Sequence, residues 1–156
     1  MEEGASVRKR ILKLILTGGG VGYVPNFPGT TMSLLTVLAL GLVGHPGFTV
    51  AFFIIVTALG FFLVRSVPFL FQDKDPRPIV IDEAVGMSGA LIFIPLDPLA
   101  YAAAFLLFRF FDSVKPWGIR KIESLHTPQA ILWDDLLAAF YTNLIVQIAA
   151  RLFQIL

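Results

Sequence analysis

The chain has 156 residues, enough for one domain with a sizeable core. It is 56% hydrophobic and only 15% charged, with a mean hydropathy of +0.80, too apolar for an ordinary soluble domain. A net charge of +1 with no basic stripe interleaved with aromatics argues against a nucleic-acid partner, and the absence of cysteine excludes disulfides, zinc–thiolate sites and thiolate phosphatase chemistry.

Residues 5–17 combine Arg8, Lys9, Arg10 and Lys13 with Val7, Ile11, Leu12, Leu14, Ile15 and Leu16, the pattern of a basic amphipathic helix lying on an anionic membrane surface. An ordinary packed N-terminal helix has the same pattern, whereas Lys13 interrupts any signal-peptide core. The Gly-rich stretch 17–31 lacks both the GK[ST] ending of a P-loop and a GxGxxG register. Gly29, Thr30 and Thr31 open the following apolar helix, with a threonine expected as its N-cap and free N–H groups available to a phosphate. A plain capped turn reads equally well. No Asp, Glu, Lys or Arg occurs from Thr31 to Val64, and His45-Pro46-Gly47 divides this run into spans at 32–44 and 48–64. Both fall short of the roughly 20 residues of a full crossing.

Residues 65–79 are polar and proline-punctuated, hence a loop; its Asp73-Lys74-Asp75 lacks the context of a haloacid-dehalogenase nucleophile. A third helix over 79–95 carries Asp82-Glu83 at its head, with Glu83, Gly86 and Ala90 on one narrow face that admits a close neighbour. Acidic residues also favour first helical turns for dipole reasons alone. The fourth helix, 98–114, ends in FRFFDSVKPWGIR, residues 108–120. Asp112 there lies about 60° around the helix from both Arg109 and Lys115, so the three project to one side, and Pro116 stops the helix. On a soluble helix this would be a surface ion pair; among Leu106, Leu107, Phe108, Phe110 and Phe111 it reads as a functional site. A short basic segment, 117–129, holds Arg120, Lys121, Glu123 and His126. The last helix, about 130–153, opens with Trp133-Asp134-Asp135 and sets Asp135 above Ala138, Ala139 and Thr142.

The expected fold is all-α: one domain, 1–156, in which a basic amphipathic helix (1–17) lies at the interface and 18–156 form a multi-helix membrane bundle. Its short spans are 32–44, 48–64, 84–95, 98–111 and 136–153. With the N-terminus inside, eleven of the 12 basic residues face the cytoplasm and only Arg151 faces out. The same orientation gathers residues 17–31, Asp82-Glu83, Arg109/Asp112/Lys115 and Asp134-Asp135 at one mouth, although none of the acidic motifs served to choose it. Five carboxylates with oxygen-only ligands favour Mg²⁺ over zinc or copper, and Mg²⁺ suggests phosphate chemistry.

Tyr23-Val-Pro25-Asn-Phe-Pro28-Gly29-Thr30, Asp82-Glu83-x-x-Gly86, Phe108-Arg109-x-x-Asp112-x-x-Lys115-Pro116-Trp117-x-Ile119-Arg120 and Asp134-Asp135-x-x-Ala138 resemble, in order, the blocks of the phosphatidylglycerophosphatase A family. The resemblance implies a Mg²⁺-dependent lipid phosphatase of the bacterial inner membrane, facing the cytoplasm and hydrolysing phosphatidylglycerophosphate to phosphatidylglycerol and phosphate. Metal ligation is expected among Asp82, Glu83, Asp112, Asp134 and Asp135. Catalysis is expected from Asp112, Lys115, Asp135 and Arg109, and phosphate binding from Gly29, Thr30, Arg109, Lys115 and Arg120. Gly118 departs from the family, where proline is expected. Three other readings stand beside this one, the first a soluble or peripheral helical bundle with an unusually apolar core, which the short spans favour. A membrane phosphotransferase would use similar aspartates, but the CDP-alcohol phosphotransferase motif is absent; a transport or binding subunit would carry ionisable groups along the bundle axis, and the first three spans have none past Glu83.

Overall fold

A computed structural model describes residues 2–71, 76–116, 118–125 and 127–153. Asp73, Trp117 and His126, singled out in the sequence, lie outside the described residues. The architecture is all-α: α1 Glu2–Leu16, α2 Pro28–Val43, α3 Pro46–Leu63, α4 Val67–Phe71, α5 Ile81–Ala90, α6 Pro98–Val114, α7 Ile119–Glu123 and α8 Ala130–Leu152, with 3₁₀ turns at Gly18–Tyr23 and Val64–Ser66.

The helix ends follow local chemistry. Proline occupies the first turn of α2, α3 and α6, where its missing N–H costs no hydrogen bond. Asp97 caps α6 by accepting from the Ala100 N–H at 2.8 Å, and Gly44 closes α2 in the left-handed conformation. The expected threonine N-cap of α2 is not what forms. Phe27 holds the cap position, Thr30 and Thr31 lie inside the first turn, and Thr31 Oγ1 donates back to the Phe27 carbonyl at 2.8 Å. Pro28, pre-set for a helical φ, starts the helix before either threonine is reached.

The centre of the bundle is α5. It packs most extensively on α8 and also against α2 and α3, with Ile81, Ala84, Val85, Gly86, Met87, Ser88 and Ala90 buried. The third helix therefore ends at Ala90, short of the expected 95. At about 1.5 Å per residue its ten residues cover only about 15 Å, half a hydrocarbon layer, so the enclosed helix is too short to cross by itself, and residues 91–97 carry the chain on to the start of α6. Its carbonyl end is satisfied by side chains of α8: Asn143 Nδ2 donates to the Ala90 and Ile92 carbonyls at 2.9 and 2.7 Å, and Gln147 donates to Asn143 Oδ1 at 2.8 Å.

The first part of the expected 65–79 loop is instead helical. The 3₁₀ turn and α4 extend α3 into one apolar stretch, Pro46–Phe71, of 26 residues, and this stretch and Ala130–Leu152 are long and apolar enough to cross a membrane. Their outer surfaces are hydrocarbon, with Ile54, Ile55, Phe62, Phe140 and Ile148 exposed. Both helices thus have the length and the apolar outer face that suit a membrane. On α1, Leu16 is fully buried in the cluster of Leu63, Val64, Val67 and Leu132, while Val7, Ile11 and Leu14 remain exposed on the opposite side. Lys13 lies over the Phe71 ring, 5.0 Å from its centroid.

Candidate active site

Four helix ends meet at one end of the bundle: the starts of α2, α5 and α8, and the end of α6. The start of α5 points Asp82 and Glu83 at the start of α8, which brings Asp135. Close helix approach makes this convergence geometrically feasible. A Cβ on Gly86 would lie 2.6 Å from the Phe108 ring and 3.1 Å from Asp135 Cβ, so only glycine lets α6 and α8 pack this tightly on α5. Ala138, Ala139 and Thr142 continue the buried face below Asp135, as their spacing predicts. At the start of α2, a Cβ on Gly29 would fall 1.8 Å from Glu83 Oε1. The Glu83 carboxylate thus rests directly on the positive end of α2, a position expected to receive phosphate.

The five carboxylates divide into two sets. Asp82, Glu83 and Asp135 each offer an oxygen within 4.8 Å of the others. Asp82 Oδ1, Glu83 Oε2 and Asp135 Oδ2 are buried without a hydrogen-bond partner. The other two are engaged by cations. Asp112 accepts from Arg109 at 2.8 Å, one turn along α6, and its carboxyl also meets that of Asp135. Asp134 accepts from Lys115 Nζ at 2.6 Å through Oδ2 and from the Asp135 N–H at 3.0 Å through Oδ1.

Of the expected triplet, Arg109 faces Asp112, and Lys115, one residue past the end of α6, reaches Asp134. Lys115 is the C-cap, with φ +51°, and this left-handed turn swings its side chain off the α6 face toward α8. Arg109 also lies 3.9 Å from Glu83 Oε1 and 3.5 Å from Ser33 Oγ. Ser33 escaped the sequence reading. Its signal was spacing alone, since it sits one turn from Gly29 on the buried face of α2. Thr30 is at the first turn of α2, beside this cluster in sequence. Arg120 stands apart: it is exposed, donates to the Val114 carbonyl at 3.3 Å, and lines a surface hollow of about 540 Å³ with Lys115 and Lys121.

Burial is the largest cause pushing the Asp82 carboxyl well above its ordinary range, with the neighbouring Glu83, Asp135 and Asp134 carboxylates adding to the effect. Glu83 shifts the same way, again chiefly through burial, opposed first by its contact with the Asp82 carboxyl and then by Arg109, with Asp112 adding. Buried Asp135 and half-buried Asp82 and Glu83, each with one buried, unpartnered oxygen, form an unsatisfied constellation on their own. A hard divalent cation is the ligand whose chemistry matches it.

Fold and site together define a helical protein with two helices suited to a membrane and an oxygen-donor cluster, backed by two cations, suited to a phosphate ester. The family model described as phosphatidylglycerophosphatase A matches residues 14–150, and the chain belongs to that family. It is a phosphoric monoester hydrolase. Relatives include a phosphatidylglycerophosphatase A of Haemophilus influenzae, 39% identical over 86% of this chain and 86% of the relative. One of the same name from Escherichia coli K12 is 30% identical over 80% and 75% of the two chains. A putative phosphatidylinositol-3-phosphatase of Bacteroides thetaiotaomicron is 34% identical over 87% and 91%. No solved structure matches the chain.

Proposed function

We propose that the chain hydrolyses phosphatidylglycerophosphate to phosphatidylglycerol and phosphate, with Mg²⁺, at the cytoplasmic face of the bacterial inner membrane. The observation that carries the reading is the trio of unpartnered carboxylate oxygens flanked by Arg109 and Lys115. Asp82, Glu83 and Asp135 would hold the Mg²⁺ ion, which when bound polarises the phosphoryl group and activates water. The remaining work belongs to side chains. Arg109 presents a planar fork that can grip two phosphate oxygens, with Ser33 and Asp112 fixing its orientation. Asp112, at the rim of the trio, orients an attacking water and accepts its proton. Lys115, held by Asp134 at the opposite edge, offsets charge on the transferring phosphoryl group. Eleven of the 12 basic residues support the cytoplasmic orientation.

Phosphate release from purified protein given phosphatidylglycerophosphate tests this. Release should occur with Mg²⁺, stop with EDTA and return when Mg²⁺ is restored in excess. Phosphatidylinositol 3-phosphate is the comparison substrate, because one relative carries that activity in its name. Preference for it would move the substrate assignment while leaving the chemistry. Orientation is read from single cysteines in this cysteine-free chain. Glu123→Cys should resist, and Gly47→Cys accept, a membrane-impermeant thiol reagent added to intact cells.

A further inference from the structure

The acidic site accounts for the phosphate end of a lipid but leaves its hydrocarbon without a place. A cleft of about 480 Å³ runs between α2 and α6, walled by Leu34, Val37, Leu38, Gly41, Ala102 and Phe105. Its head is tied to the active site. Val37 lies one turn beyond Ser33, and Phe105 one turn before Arg109, while Ser33 and Arg109 meet at 3.5 Å. The cleft begins where the phosphate-gripping pair ends.

From there it follows α2 to Leu42 and α6 back to Pro98, about 8 Å of the first helix and about 10 Å of the second at 1.5 Å per residue. Of its two polar lining residues, Asp97 is occupied in capping α6, and Tyr101 sits at the end remote from Arg109. Nothing in the wall fixes a polar ligand, and Leu34 and Leu38 leave it open along the side.

We propose that this cleft holds one acyl chain of the lipid whose phosphate is processed at Arg109, making α2 and α6 a selector of hydrocarbon as well as of phosphate. The inference rests on the phospholipid reading above. Continuity with the Ser33–Arg109 pair commits the cleft to substrate, since a bulk lipid or a second copy of the chain has no reason to be aligned with that pair. Gly41 lines the cleft, and a Cβ there meets the Tyr101 ring at 3.6 Å, an ordinary contact, so the backbone accepts a side chain whose further atoms take up cleft volume.

The test compares wild type, Gly41→Leu and Ala102→Leu on dioleoyl and dihexanoyl phosphatidylglycerophosphate. For the dioleoyl substrate, KM in the variants should rise at least about tenfold with kcat little changed, while dihexanoyl turnover stays within about twofold. Equal effects on the two substrates, or none, would overturn the proposal. Photo-crosslinking on the wild type keeps it falsifiable should a variant fail to fold. A diazirine at an acyl-chain terminus should label peptides of α2 and α6, and excess unlabelled phosphatidylglycerophosphate, but not phosphatidylcholine, should suppress the labelling. Suppression by phosphatidylcholine would identify annular lipid, and chain-to-chain crosslinks through α2 would identify a second copy; either rejects the assignment. Wild-type protein inactive on both substrates would instead reject the phosphatase reading, and the crosslinking would still report on the cleft.

Discussion

Replacing Gly29 with alanine isolates the contribution of Glu83 without touching a charged residue. The added Cβ would stand 1.8 Å from Glu83 Oε1 and 2.7 Å from its Cδ, whereas real Cβ contacts almost never fall below 3.0 Å. The carboxylate must therefore retreat by at least about 1.2 Å from its seat on α2. Displacement on that scale within a preorganised site costs about a hundredfold in rate. Helix propensity acts in the other direction, since alanine favours α2 by up to about 1 kcal/mol over glycine, so the fold should not suffer. The expected result is a kcat lowered about a hundredfold, weaker Mg²⁺ activation and an unchanged or higher Tm. Glu83→Asp, one methylene shorter, supplies a second check. In combination with Gly29→Ala it should cost less than the product of the two single effects, because the shortened side chain no longer meets the methyl group. Wild-type kcat and Mg²⁺ dependence in Gly29→Ala would refute the idea that Glu83 acts from this position.

Asp135→Asn should abolish phosphate release while preserving the helical circular dichroism, and Asp112→Asn should lower kcat without removing Mg²⁺ binding; loss of binding in the latter would return Asp112 to the ligand set. Lys115→Met should reduce kcat on the order of a hundredfold. Repeating it in an Asp134→Asn background separates two roles, since a lysine that only neutralises Asp134 would then cost almost nothing further. Arg109→Lys keeps the charge but loses the fork, and should raise KM and lower kcat together, as steady-state kinetics will read. Acids raised above their ordinary range hold protons that a cation must displace, so Mg²⁺ affinity measured by calorimetry should increase with pH, by about tenfold per unit for each proton released. A pH-independent affinity would mean that the trio is already ionised before the cation arrives.

The gathering of the motifs and their order were legible in the sequence because they depend on patterns one chain carries openly. The charge asymmetry and the gathering of Glu83, Arg109, Asp112 and Asp135 at one end of the bundle follow from helices that alternate in direction. The α6 boundaries, 98–114, also emerged intact, since Pro98 and Pro116 mark both ends. What the sequence withheld was set by tertiary contact. The pairing of Lys115 with Asp134 depends on a left-handed turn at a non-glycine residue, which no local propensity favours. Gly118 follows with φ +94°, a value closed to the proline expected there, so the turn between α6 and α7 takes a path that proline could not follow. The end of α5 at Ala90 was hidden because the apolar run continues through Ile94; only Asn143 and Gln147, fifty residues away, reveal that the carbonyls stop there.

The shortness of α5 has a consequence for how the molecule acquires its site. Ten residues, two of them glycines, are too few to hold a helix in isolation. Its order therefore comes from the walls that α2, α3 and α8 supply, the last of them from the far end of the chain. Loop closure must come first, and the segment bearing Asp82 and Glu83 should be among the last to settle. In a hydrogen-exchange time course during refolding into micelles, amides of α5 should gain protection after those of α3 and α8. The enzyme would then be unable to gather its acidic residues before the bundle around them is complete, so a nascent chain exposes no half-built cation trap.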